Sequence, residues 1–190
     1  MNNNRCFNQN CSKRLYGVVI RCLLITLLLL SSVLPGVFAA SNSWDPNEVK
    51  IVLIYKLAQF IRWNTETSPE TLNVCVDDSS DIYPLVETNL KDKVVNKRGV
   101  QVLAKHIDDD IDGCHILYLS NDSEVIGLRI KQVEQLPILT ISSASEFISL
   151  GGMIRLYVKN RRIFFEINQE PALSANISIS SQLMKLSRKQ

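Results

Sequence analysis

Histidine is the scarcest chemically versatile residue in this chain: 190 residues contain two, His106 and His115. That scarcity removes most acid–base chemistry at neutral pH and any paired-histidine metal helix. Seven glycines are present, yet none builds a Gly-rich phosphate loop or a Gly-x-Ser-x-Gly elbow. There is no Cys-x-x-Cys pair, so a thioredoxin-type redox role lacks support. The serines between Ser178 and Ser181 have no positioned base beside them. His115 opens an apolar stretch and reads as a satisfied strand-end residue, while His106 reads as solvated. No period of about 20–50 residues recurs, which excludes repeat architectures. An enzyme is therefore not expected, and neither is a resident metal or cofactor.

Basic charge also has a local origin. The formal net charge is +2, but Arg5, Lys13, Arg14 and Arg21 all precede the apolar or hydroxyl run Cys22–Leu34. Pro35-Gly36 ends that run, and Val37-Phe38-Ala39 puts modest side chains at the −3 and −1 positions of a cleavage site. This is the layout of a secretory signal peptide over residues 1–39, ahead of a domain spanning 40–190. The run is shorter than the about 20 residues a membrane-spanning helix needs, which favours cleavage over an uncleaved anchor. Removing four positive charges and no negative ones takes +2 to −2. The remaining chain has no basic patch dense enough for nucleic acid.

Five cysteines become two by the same cut, Cys75 and Cys114. In an exported domain they are candidates for a disulfide, the alternative being two separate buried thiols.

Asp45-Pro46-Asn47-Glu48 predicts a helix start, with Asp45 as cap, Pro46 at the first position and Glu48 completing a capping box. Val49, Val52, Leu53, Leu57, Phe60 and Ile61 then form the expected apolar stripe, and the helix is expected to end near Ile61-Arg62-Trp63. Trp63 is either a core residue or an exposed aromatic for a partner. Strands are predicted at 72–76, 100–104, 114–119 and 137–141, with helices at 81–90 and 124–134 and a shorter one at 145–150. In the helix at 124–134, Val125, Leu128, Ile130 and Val133 are the apolar positions. Asp108, Asp110, Asp112 and Gly113 match the first, third, fifth and sixth places of an EF-hand loop. The twelfth place is Leu119, where calcium needs a bidentate Glu, so a solvated turn is the better reading.

Gly151-Gly152 mark a break before two apolar strands, Met153–Val158 and Ile163–Ile167, joined by Lys159-Asn160-Arg161-Arg162. Asn160 suits the positive φ of a tight hairpin. This hairpin is expected to lie centrally, with Phe164 and Phe165 both largely buried on opposite faces. Glu166 and Asn168 would then cap neighbouring backbone groups or meet a ligand. Short helices at 172–175 and 180–186 flank Ile177-Ser178-Ile179. Strands alternating with helices predict an α/β three-layer sandwich with a mostly parallel central sheet plus an antiparallel C-terminal hairpin.

In order and spacing, several stretches resemble the YfiR family of periplasmic regulators. They are Phe60-Ile61-Arg62-Trp63, Leu72-Asn73-Val74-Cys75-Val76, Cys114-His115-Ile116-Leu117-Tyr118-Leu119-Ser120 and Ile138-Leu139-Thr140-Ile141-Ser142. Phe147–Ile154, Arg162–Asn168 and Ala175–Leu186 complete the resemblance. Two positions depart from the family pattern: Asn176 stands where Gly is usual, and Ser143 where an acidic residue commonly follows the strand. The resemblance implies a periplasmic protein that represses a membrane-bound diguanylate cyclase through its periplasmic sensor region. It further implies sequestration by an OmpA-like outer-membrane lipoprotein, a proneness to form homodimers, and a redox-sensitive Cys75–Cys114 pair. Trp63, Phe165, Glu166 and Asn168 are the candidates for partner or ligand contact. The leader carries its own expectation: N-terminal sequencing of exported protein should find a start near Ala40, and an intact Met1 chain in the membrane fraction would refute it.

Overall fold

A computed structural model describes residues 44–64 and 70–187, together with position 21. Apart from that position, the expected signal peptide lies outside the described residues. The chain from Trp44 onward forms one compact unit.

Asp45 caps helix α1 (Pro46–Ala58): its carboxylate accepts the Asn47 N–H at 2.8 Å, and Pro46 occupies the first turn. The buried side of α1 is not the expected stripe. Ile51, Ile54, Leu57 and Ala58 face the core, while Val49 and Val52 are 37% and 56% exposed. A helix apolar almost all round carries no phase of its own, so the sheet it packs against chooses the side. The helix also stops at Ala58 rather than near Trp63. Ile61–Trp63 is a strand, β1, because a pairing partner waits at the far end of the chain: Ile177–Ile179 (β9) runs antiparallel to it, with Ile61 opposite Ile179 and Trp63 opposite Ile177. Asn176, just before β9, has φ 56, the left-handed conformation Asn tolerates.

The remaining elements are β2 (Thr71–Asp77), α2 (Tyr83–Leu90), β3 (Val94–Val95), β4 (Arg98–Lys105), β5 (Ile116–Tyr118), α3 (Ser123–Val133), β6 (Leu139–Ser142), β7 (Ile154–Lys159), β8 (Arg162–Ile167), α4 (Gln169–Ser174) and α5 (Ser181–Ser187). Seven strands form one sheet in the order β3-β4-β2-β5-β6-β7-β8. The pairs between β4 and β7 are parallel; only β3–β4 and β7–β8, at the two edges, are antiparallel. This is the expected α/β architecture. Residues of α1, α2, α4 and α5 pack with Leu72, Val74, Ile116, Leu139 and Ile154 on one face. On the other face, Ile126 and Val133 of α3 pack with Leu117, Leu119, Ile138 and Phe147. Alternation along β2 and β5 feeds both cores at once.

The C-terminal hairpin lies at an edge, not centrally. β7 takes β6 on one side and β8 on the other, and β8 is outermost. Its apolar sequence reflects one buried face plus aromatic pairing on the open face. Phe165 is 6% exposed in the larger core, whereas Phe164 is only half-buried and stacks on Tyr157 at 5.7 Å. None of the second core's residues comes from this hairpin. Lys159 pairs with Arg162, and the two turn residues, Asn160 (φ 52) and Arg161 (φ 56), are both left-handed, as two-residue hairpins require. Gly151 (φ +94) and Gly152 end the preceding turn; a Cβ on Gly152 would meet the Phe147 ring at 2.3 Å.

Helix α3 is also rotated from expectation: Ile126, Arg129 and Val133 are buried, and Leu128 is 54% exposed. Arg129 can face inward because its guanidinium donates to the backbone oxygens of Asp109 (3.0 Å) and His106 and to Gln132 Oε1 (2.8 Å). It thereby pins the acidic turn, in which Asp110 Oδ1 accepts the Asp112 N–H at 2.9 Å.

Cys75 and Cys114 form a disulfide, with Cα atoms 5.8 Å apart and both residues buried in the smaller core. Adjacent parallel strands β2 and β5 bring them together. In the chain-entropy picture, closing a loop across 39 residues contributes about 4 kcal/mol.

The two-faced hairpin generates a paired expectation. Phe165→Ala should cost about 3–5 kcal/mol in urea unfolding, and Phe164→Ala clearly less, because part of its surface is never removed from water. Equal losses would mean that the outer face is covered.

Candidate functional site

The clearest concentration of polar groups with specific partners surrounds Trp63. The residue ends β1, and its indole N–H donates to the His115 backbone oxygen at 3.1 Å. The His115 ring meets the indole edge-on, centroids 6.1 Å apart at 87°. The guanidinium of Arg98 lies over the indole, 4.7 Å from its centroid. Arg98 is placed there by a second left-handed turn: Asn96 (φ 49) and Lys97 (φ 70) connect β3 to β4, and Val95 pairs with Arg98.

His115 has a fixed role. Its Nδ1 accepts the Asn73 N–H at 3.0 Å, so the neutral ring carries its proton on Nε2. Burial first, and the Arg98 charge second, hold it below the ordinary 6.5. Burial likewise pulls the Arg98 guanidinium below its ordinary value.

Trp63 is a wall between two cavities. The larger, about 550 Å³, is lined by Arg98, Asn96, Asn64, Phe60 and Ser180 among others. The smaller, about 170 Å³, lies against Cys114, His115 and Ile138. The indole thus connects an open cavity to the end of the disulfide-bearing segment.

The other candidates from the sequence are dispersed. Phe165 belongs to the core. Glu166 sits on the hairpin's outer face opposite Arg155, whose Nε is 3.0 Å from Glu166 Oε2. Arg155 also donates to the Ser145 oxygen at 3.0 Å and lies over the Tyr157 ring. Asn168 stands at the N-cap position of α4 without a side-chain capping bond, its own N–H donating to Met153 O at 2.8 Å. It lines a third cavity, about 390 Å³, with Thr140, Met153 and Lys131. Trp63 and Asn168 therefore belong to different cavities. Ser143, after β6, shares a 3.1 Å hydrogen bond with the Tyr118 hydroxyl. Among the described residues, no group of His, Cys, Asp and Glu side chains could hold a metal ion, and no helix is long and apolar enough to cross a membrane.

Sequence reasoning missed Arg98. A lone Arg at the start of a strand has no periodic signal; its importance comes from Trp63, a residue of another sheet. The only local hint was Asn96-Lys97, a pair compatible with a left-handed turn.

The depressed His115 sets a pH dependence. The unfolded imidazole takes its proton near pH 6.5, the folded one only at lower pH. Its contribution to stability is therefore complete above pH 6.5 and is lost as pH falls below 6.5 towards the folded value. Urea midpoints measured from about pH 7.5 down to 5.5 should fall more steeply in the native protein than in His115→Gln, which keeps an acceptor but no titration. Parallel slopes would remove His115 from this role.

Comparison with known families bears on the whole domain rather than on one cavity. The YfiR/HmsC-like family profile matches residues 47–188, from the first turn of α1 to just beyond α5. The chain belongs to the YfiR/HmsC-like family.

Proposed function

We propose that this protein is an exported regulator that inhibits an inner-membrane diguanylate cyclase by binding the cyclase's periplasmic sensor region. The observation that carries this reading is the family match over residues 47–188, a family associated with periplasmic regulation of diguanylate cyclases. The sequence supplies the export element: residues 1–39 act as a cleaved signal peptide and 40–190 as the exported domain. The absence of a catalytic constellation in the sequence agrees with a binding role rather than an enzymatic one.

The mechanism is a shift of population. The regulator binds the inactive arrangement of the sensor region more tightly than the active one and so lowers cyclic di-GMP synthesis across the membrane. A tenfold bias requires a difference of about 1.4 kcal/mol between the two states. The contact surface in this reading is the outer side of α1, where Val49 and Val52 are exposed, continuing to Val94, which is 55% exposed. Tyr55 ties the two elements together, its hydroxyl donating to Val94 O at 3.0 Å. An OmpA-like outer-membrane lipoprotein would relieve inhibition by sequestering the regulator, and homodimerisation belongs to the same family-based reading.

A second reading is a periplasmic small-molecule sensor without a cyclase partner. The cavity beside Trp63 is the observation in its favour, and the two roles are compatible in one protein.

Deleting the gene should raise cellular cyclic di-GMP. The full gene should restore the lower level, a version without residues 1–39 should not, and Val52→Asp should restore it incompletely while folding normally. An unchanged nucleotide level in the deletion strain, with a sensor-bearing membrane cyclase expressed, would replace the repressor reading with the sensor reading.

A further inference from the structure

Among the described residues two arginines are more than nine-tenths buried, and they are treated differently. Arg129, 2% exposed, has acceptors on three other residues around its guanidinium. Arg98, 8% exposed, has the Trp63 ring on one face. Among the described residues it has no carboxylate within ion-pair distance and no hydrogen-bond acceptor. A guanidinium presents up to five N–H donors in a fixed fork, and with no protein acceptor those of Arg98 are left to the cavity that the residue lines. Arg129 shows that this fold can supply acceptors to a buried arginine; at Arg98 it supplies an open cavity of about 550 Å³ instead.

The rest of the lining has the same character. Arg62 adds a second cation. Ser180 Oγ accepts the Leu183 N–H at 3.2 Å, which leaves its own proton to donate into the cavity. Asn64 and Asn96 each use one amide hydrogen, on Ser178 Oγ at 2.8 Å and Gln59 O at 3.4 Å, and retain the other. Among the described residues, no acidic one lines this cavity. Trp63 is itself held by its bond to His115, so the plane on which Arg98 rests does not have to be ordered when a ligand arrives.

We propose that the cavity beside Trp63 and Arg98 is a binding site for a small oxyanion-bearing compound, with the Arg98 guanidinium donating to its carboxylate or phosphate group and Ser180 adding a further donor. The planar fork of Arg98 matches two oxygens of either group. This assignment names the ligand chemistry of the sensor reading but stands on the cavity's own geometry. It is testable on purified protein without a cyclase, so its failure and that of the repressor reading are separable.

Trp44→Phe leaves Trp63 as the sole tryptophan, and its fluorescence reports directly on the ring under Arg98. The protein as isolated from cells, carrying Trp44→Phe, is titrated with inorganic phosphate and, separately, with succinate, at constant ionic strength. A saturable fluorescence change with at least one of the two is expected, and the responding probe identifies which oxyanion the site prefers. Arg98→Gln should weaken that binding at least tenfold while circular dichroism stays native. Should Arg98→Gln fail to fold, Arg98→Lys replaces it: the charge remains, the fork is lost, and binding several-fold weaker is expected. No saturable change with either probe, or equal affinity in the Arg98 variants, overturns the proposal. So does binding that emerges only after Glu66→Gln, at the acidic residue two positions beyond the lining residue Asn64 in the sequence, because the site's occupant would then be a carboxylate of the chain itself.

Discussion

Strand β2 is the constraint on which the domain depends. Its backbone is paired on both sides, with β4 and β5, and its side chains alternate between the two cores. Leu72, Val74 and Val76 serve the helices on one face, and Cys75 serves the other through the disulfide. A one-residue slip would send the cysteine into the larger core and three aliphatic side chains out of it, so hydrophobic pattern and covalent link enforce the same register. Everything else is positioned from that strand outward: β4 carries Arg98 at its start, and β5 is preceded by His115.

Local features of the fold were plain in the sequence because their causes are local. Asp45-Pro46 starts a helix whatever follows, and Asn160 at a left-handed position makes a hairpin from its own two strands. The nearly continuous apolar stretch Cys114–Leu119 announced a buried parallel strand. Where the reading failed, the deciding partner was distant. The phase of α1 was set by the sheet, because Val49, Ile51, Val52 and Ile54 are equally apolar. The extended state of Ile61–Trp63 was set by β9. The edge position of β7–β8 depended on which strands the earlier crossovers had already placed between β4 and β7, and no residue of the hairpin encodes that.

The functional candidates divide along the same line. Trp63 was visible as a large aromatic next to a helix, but its significance lies in Arg98 and His115, which reach it from a different sheet. Glu166 drew notice as a polar residue in an apolar strand, and its partner Arg155 stands directly opposite on the outer face, an arrangement of cross-strand pairing. Asn168 drew notice for the same reason and lines a separate cavity. Polarity within a strand thus located one cross-strand ion pair and one residue at a helix start, two different structural situations.

The small ribbon of β1 and β9 joins an early and a late element of the described domain. Its consequence is temporal. A chain that crosses a membrane or leaves the ribosome N-terminus first presents Trp63 long before Ile177 exists to pair with it. The seven-stranded sheet can be complete through β8 while the wall beside Trp63 is still missing. The lining of the cavity therefore cannot be complete until β9 has paired with β1 and brought Ser180 alongside.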